Sequence, residues 1–95
     1  MPHYVYILCS KSGHTYYIGE TEDLNRRLDE HNNHFFRGAQ TTRARDWEIY
    51  LTIPCFDRIQ ARNIEKHIKK MKSRVYMENL KKFPEMIDKL KNNYR

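Results

Sequence analysis

A three-stranded, mostly antiparallel sheet flanked by helices, an α/β chain of the α+β type, is the fold that this sequence predicts. Three observations predict it. Two short runs rich in aromatic and β-branched residues, Tyr4-Val5-Tyr6-Ile7-Leu8 and Tyr16-Tyr17-Ile18-Gly19-Glu20, flank a polar segment containing Gly13, the pattern of a β-hairpin. A third run, Trp47 to Cys55, alternates as a strand does. Apolar residues then recur at steps of three and four, the period of an amphipathic helix.

In the hairpin, side chains alternate, so Tyr4, Tyr6 and Leu8 share a face. A loop with an even number of residues sets Leu8 opposite Tyr17 and Tyr6 opposite Gly19, which puts Tyr6 and Tyr17 diagonally on one face. Gly19, having no side chain, is expected to leave the backbone beside Tyr6 open to a ligand. Thr21-Glu22-Asp23-Leu24 reads as a helix start, with Thr21 as cap, two acids in the first turn and an apolar stripe beginning at Leu24 and Leu28. Arg27 and His31, four apart, project together from that helix.

The segment Asn32 to Thr42 has no periodicity and reads as a loop. Phe35, Phe36, Arg37, Arg43 and Arg45 mix aromatic and basic character, suited to stacking on bases and neutralising phosphates. The alternative is that the phenyl rings fold back onto the core. His34 follows His31 by three residues, but a lone pair at this spacing is usually incidental. In the third strand, alternation places Trp47, Ile49, Leu51 and Ile53 on one face and Glu48, Tyr50 and Thr52 on the other, with Pro54 marking a strand end or an edge. Asp57 resembles an N-cap with Gln60 at the capping-box position. The helix it opens buries a stripe of Ala61, Ile64, Ile68, Met71 and Val75. Val75 to Leu80 form a short helix or continue the previous one. Phe83-Pro84-Glu85 opens a last helix, with Ile87, Leu90 and Tyr94 inward.

Ninety-five residues make one domain, a core over residues 4–76 with a helical extension over 77–95. The longest apolar run is about six residues, against the roughly twenty of a membrane span. No secretory signal is read at Met1-Pro2-His3-Tyr4, so a cytoplasmic protein with two reduced thiols, Cys9 and Cys55, is expected rather than a disulfide. A zinc site would need more ligands at closer spacing. The net charge of +6 is unevenly spread: residues 1–57 carry −2 and residues 58–95 carry +8. A half so basic suggests a polyanion, most simply nucleic acid; a solvated lysine-rich helix face explains the charge equally well.

The residues Tyr4-Val5-Tyr6, Tyr17-Ile18-Gly19, Thr21, Leu24, Arg27 and His31 together resemble the GIY-YIG nuclease family, in particular its small stand-alone members. The specificity lies in the combined spacing Tyr-x10-Tyr-Ile-Gly-x-Thr-x2-Leu-x2-Arg-x3-His. One departure is that Tyr4-Val5 stands where the family has Gly-Ile. A second matching stretch is Ala61-x3-Glu65-x2-Ile68-Lys69. The resemblance implies a metal-dependent endonuclease that cleaves DNA, in repair or recombination. It implies that Glu65 binds one Mg²⁺ or Mn²⁺ and that Arg27 contacts the scissile phosphate, where a planar fork suits two oxygens. Tyr6 and Tyr17 would position or deprotonate the attacking water, and His31 would orient a tyrosine or relay the proton. Asn79 falls fourteen residues after Glu65, near a further family position, but its local pattern does not match.

Arg43, Arg45, Lys66, Lys69, Lys70, Lys72 and Arg74 are the candidate nucleic-acid contacts. Each catalytic candidate also has a plainer reading. Tyr6 and Tyr17 could be ordinary strand residues, Arg27 an ion-pair partner of Asp23 or Glu30, His31 a helix C-cap, and Glu65 a partner of Lys69. The rival function is a nucleic-acid-binding module that holds its ligand without cutting it; a second rival is an interaction protein kept soluble by its lysines. DNA is the expected partner, with RNA, flaps and junctions open as targets and specificity either intrinsic or borrowed from a protein partner.

Overall fold

The run Tyr4 to Leu8 is apolar on both sides of the strand it forms, and that strand is the centre of the sheet. A computed structural model describes residues 2–11, 15–33 and 46–95. Seven elements follow in order: β1 (His3–Ser10), β2 (Thr15–Thr21), α1 (Leu24–Asn32), β3 (Trp47–Cys55), α2 (Arg58–Met71), α3 (Arg74–Lys82) and α4 (Pro84–Asn93). The sheet order is β2-β1-β3, antiparallel throughout. The hairpin register is the expected one, with Tyr6 paired to Gly19 and Leu8 to Tyr17.

Because β1 is buried on both faces, the core has two halves. Val5, Ile7 and Ile53 pack with Ala61, Ile64 and Ile68 of α2 and with Met77, Leu80 and Leu90. Tyr6, Leu8 and Trp47 form the other half, covered by Leu24 and Leu28 of α1. Helix α1 is pinned to β3 by the amide of Asn32, which donates to the Trp47 carbonyl at 3.1 Å and accepts from the Trp47 N–H at 2.8 Å. On the far side, Gln60 accepts from the Phe56 N–H and donates to the Lys91 carbonyl, tying α2 to α4. None of the described helices is long and apolar enough to cross a membrane. Both cysteines are free, Cys55 buried and Cys9 partly so.

The structure corrects three local expectations. First, β3 does not keep one apolar face. Ile7 pairs with Leu51 but Leu8 with Ile49, so Tyr50 is an extra residue, and the irregularity exchanges the faces on either side of it. Trp47 therefore packs with Tyr6 and Leu8, while Ile53 packs with Val5 and Ile7. Second, α1 is capped by Asp23, whose carboxylate accepts from the Arg26 N–H at 3.1 Å. Thr21 ends β2 and turns the chain, its hydroxyl accepting from the Asp23 N–H, so neither Glu22 nor Asp23 lies inside the helix. Third, the buried stripe of α2 stops at Ile68. Lys72 adopts a left-handed conformation, φ 48°, which ends the helix, and Ser73 caps a new one. Met71 and Val75 are left exposed. The Asp57 cap, the exposed edge position of Pro54 and the Pro84 start of α4 agree with expectation.

Asn32→Ala removes both ties between α1 and β3 and leaves Trp47 backbone groups without them. A loss of about 1–3 kcal/mol in unfolding free energy is expected, with an unchanged urea m-value. Equilibrium urea denaturation measures it.

Candidate active site

Four side chains reach one region because two periodicities agree there. The period of two along β1 and β2 directs Tyr6 and Tyr17 to the α1 side of the sheet, and the fourfold spacing on α1 sets His31 one turn from Arg27. The Tyr6 hydroxyl and His31 Nε2 are 3.0 Å apart. Ring centroids lie 6.3 Å apart for Tyr6 and Tyr17, 5.9 Å for Tyr6 and His31, and 4.7 Å for Tyr17 and His31. Tyr6 is 3% and His31 2% exposed, while Tyr17 and Arg27 are partly exposed and form the accessible side. The plainer reading of His31 as a helix cap does not hold: Asn33 occupies the C-cap of α1, and the imidazole turns inward.

Gly19 serves this cluster differently from expectation. A Cβ built there would lie 2.5 Å from Tyr6 Cζ and closer still to its hydroxyl. The space beside the strand is thus filled by the Tyr6 ring itself rather than left open for a ligand.

The electrostatics of the site follow from its burial. Burial pushes the Tyr6 phenol well above its ordinary value near 10. The neighbouring Tyr17 adds to that, Arg27 opposes it, and the charges of Glu65 and Glu20 add smaller increments. Burial, with the Arg27 charge second, holds His31 below its usual 6.5, against a smaller opposing pull from Glu30. At neutral pH the pair is therefore a neutral phenol beside a neutral imidazole, an arrangement in which Tyr6 donates to Nε2. Arg27 also lies 3.6 Å from Glu30, one turn along α1.

Glu65 comes from α2, which packs across β2 and β1. Its carboxylate is 19% exposed and meets Lys69 Nζ at 3.3 Å, so the ion pair anticipated as its plainer role is present. It also lies near enough for its charge to act on the Tyr6 phenol. Among the described residues no three His, Cys, Asp or Glu side chains gather into a metal-binding group. A single, partly buried carboxylate suits a hard divalent ion that takes its other ligands from water and phosphate oxygens.

Glu20 carries no role in the sequence reading. It is ion-paired to His3 at 3.3 Å and to Arg58 at 3.8 Å, and its charge is felt at Tyr6. Its position two residues after Ile18 on β2, inward toward α2, was the available signal. Of the candidate nucleic-acid contacts, Lys66, Lys69, Lys70 and Lys72 are exposed on or just beyond α2, and Arg74 stacks over the Tyr16 ring at 5.3 Å. Arg43 and Arg45, with His34, Phe35, Phe36 and Arg37, lie outside the described residues. A groove of about 930 Å³ lined by Cys55, Gln60, Asp88 and Lys91 contains none of the catalytic candidates.

The fold is that of a small α+β domain. The family model described as the GIY-YIG catalytic domain matches residues 2–79. The chain belongs to the GIY-YIG family, a nuclease-type domain whose substrate is nucleic acid. It is 34% identical to the UPF0213 protein of Bacillus halodurans, known from a solution NMR structure. That match covers 84% of this chain and 82% of the other, with a TM-score of 0.51. No curated protein matches the chain significantly.

Gly19→Ala forces its methyl into the Tyr6 ring. A destabilisation of about 1–3 kcal/mol is expected, read as a lowered urea midpoint together with an altered near-UV tyrosine spectrum. The depressed His31 also sets a pH dependence. The unfolded chain takes up a proton at His31 that the folded chain resists, so stability is full above about 6.5 and declines as pH falls below it. Urea midpoints measured down to about pH 5 should fall more for the wild type than for His31→Gln, which keeps a partner for Tyr6 without titrating.

Proposed function

We propose that the protein is a metal-dependent endonuclease that hydrolyses phosphodiester bonds in DNA. The observation that carries this reading is the 3.0 Å contact between a buried tyrosine and a neutral histidine, with Arg27 and Glu65 both acting electrostatically on that tyrosine.

Hydrolysis needs an acceptor for the proton of the attacking water, positive charge on the crowded phosphate, and stabilisation of the departing oxygen. A phenol raised so far cannot wait as a free phenolate at neutral pH. Tyr6 therefore takes the water proton on its Oη while passing its own proton to His31 Nε2. The imidazole ends as a cation, and the water oxygen is left to attack phosphorus. Tyr17, the more exposed phenol, orients that water from above His31. Arg27 holds two non-bridging oxygens with its planar guanidinium. Glu65 would hold Mg²⁺ or Mn²⁺, which supplies charge to the phosphate and the leaving oxygen when bound. Lys69, now on Glu65, would give up its ion pair to the incoming ion or to a phosphate.

The test compares wild type with Glu65→Ala on plain, flapped and branched DNA in Mg²⁺ or Mn²⁺. Cleavage by the wild type and its loss in Glu65→Ala support the assignment; binding without any cleavage would make the protein a non-catalytic binding module. Tyr6→Phe should lower single-turnover cleavage by about 10²–10⁴-fold with little change in DNA affinity. Arg27→Ala should lower cleavage by about 10²–10³-fold, more than it lowers binding. Equal losses for Arg27→Ala would make that residue an anchor instead.

A further inference from the structure

Helix α2 runs antiparallel to β2 along its length, and contacts at both ends fix it there. Near its start Arg58 lies 3.8 Å from Glu20, close to the end of β2. Just beyond its finish Arg74 stacks on Tyr16, close to the beginning of β2. Between these ties, at about 100° per residue, Arg58, Arg62, Glu65 and Lys69 fall within an arc of about 60°. That arc adjoins the buried stripe of Ala61, Ile64 and Ile68 and is partly or fully exposed. The helix flank above β2 is thus a row of cations with one carboxylate in its middle, and that carboxylate is the one whose charge reaches Tyr6.

The opposite charge lies just before the other helix of the site, which is itself balanced. Along and just before α1 stand Glu22, Asp23, Asp29 and Glu30, against Arg26 and Arg27. A polyanion leaving the reaction centre is repelled at the start of α1 by Glu22 and Asp23 and attracted along α2.

We infer that one DNA strand is held along the β2-facing flank of α2. Backbone phosphates on one side of the scissile bond meet Arg58 and Arg62, and phosphates on the other side meet Lys69 and Arg74. The inference rests on the proposed nuclease reading for the position of the scissile bond, but the track is a binding surface in its own right. Arg58 to Lys69 spans about 17 Å of helix, the axial length of about five nucleotides at 3.4 Å each. The row is therefore long enough to hold phosphates on both sides of a bond opposite Glu65. Glu20 and Tyr16 hold the end cations in place before DNA arrives, so less side-chain freedom is lost on binding.

Affinity for a fluorescein-labelled DNA duplex, measured by anisotropy across a salt series without divalent ion, tests the track. Arg58→Gln/Arg62→Gln is compared with Lys82→Gln/Lys89→Gln, which removes the same charge from exposed positions elsewhere. At about 0.9 per phosphate contact, the slope of log K against log salt should become less negative by about 1.8 for the arginine pair and stay unchanged for the lysine pair. An unchanged slope for the arginine pair, or equal changes for both pairs, overturns the inference. Circular dichroism checks folding; if the loss of Arg58 unfolds the chain, Arg62→Gln alone is read against Lys89→Gln, with an expected change of about 0.9. A protein that never cuts DNA but shows the selective slope change loses the nuclease reading and keeps the track. A protein that cuts without the change loses the track alone.

Discussion

A phenol hydroxyl buried in a protein core must find a hydrogen-bond partner or cost about 1–3 kcal/mol. Tyr6 is in that position because β1 is covered on both faces, and His31 meets the need. From this single contact much of one side of the molecule follows. It fixes the rotation of α1, since the helix must aim His31 at β1. It fixes the need for a residue without a side chain at Gly19, since the Tyr6 ring occupies the space above it. It also holds Tyr17 close against the imidazole. The same burial that demands the contact raises the phenol and lowers the imidazole, so the structural constraint and the site's protonation states have one cause.

The other half of the molecule answers a different requirement. Helix α2 must cover Val5, Ile7 and Ile53, and it does so with three small or branched side chains, Ala61, Ile64 and Ile68. Only a narrow stripe is needed for that cover, which leaves a long flank free to carry charge. Helices α3 and α4 close the same core and are tied back to α2 through polar contacts. Gln60 bonds to the Lys91 carbonyl, and His67 sits between the hydroxyls of Tyr76 and Tyr94 at 3.1 Å each. The division between a charge-balanced α1, preceded by Glu22 and Asp23, and a cation-rich α2 therefore coincides with the division of the core into two halves.

How much of this was legible in the sequence depended on whether a local period held. The hairpin register, the shared face of Tyr6 and Tyr17 and the common side of α1 taken by Arg27 and His31 all follow from unbroken periods of two and 3.6, and the structure agrees with each. Alternation in β3 failed because one extra residue, Tyr50, reverses which side of the strand faces which core. The stripe of α2 failed beyond Ile68 because Lys72 takes a left-handed conformation that no apolar spacing announces. The purpose of Gly19 was misread because an absent side chain is equally compatible with open space and with space that another residue fills. Glu20 was overlooked because its partners, His3 and Arg58, are remote from it in sequence.

The amino-acid order by itself determined the elements, the hairpin pairing, the family and the small set of residue types assembled on one helix and two strands. These are consequences of neighbours within one strand or one turn, where backbone geometry leaves few choices. The tertiary structure alone decided that Tyr6 is buried rather than accessible, that His31 is its partner rather than a helix cap, and that the charge of Glu65, on a helix of the other core half, acts on the same phenol. Burial and long-range electrostatics depend on which surfaces meet, and that is set only when helices from distant parts of the chain close over a common strand.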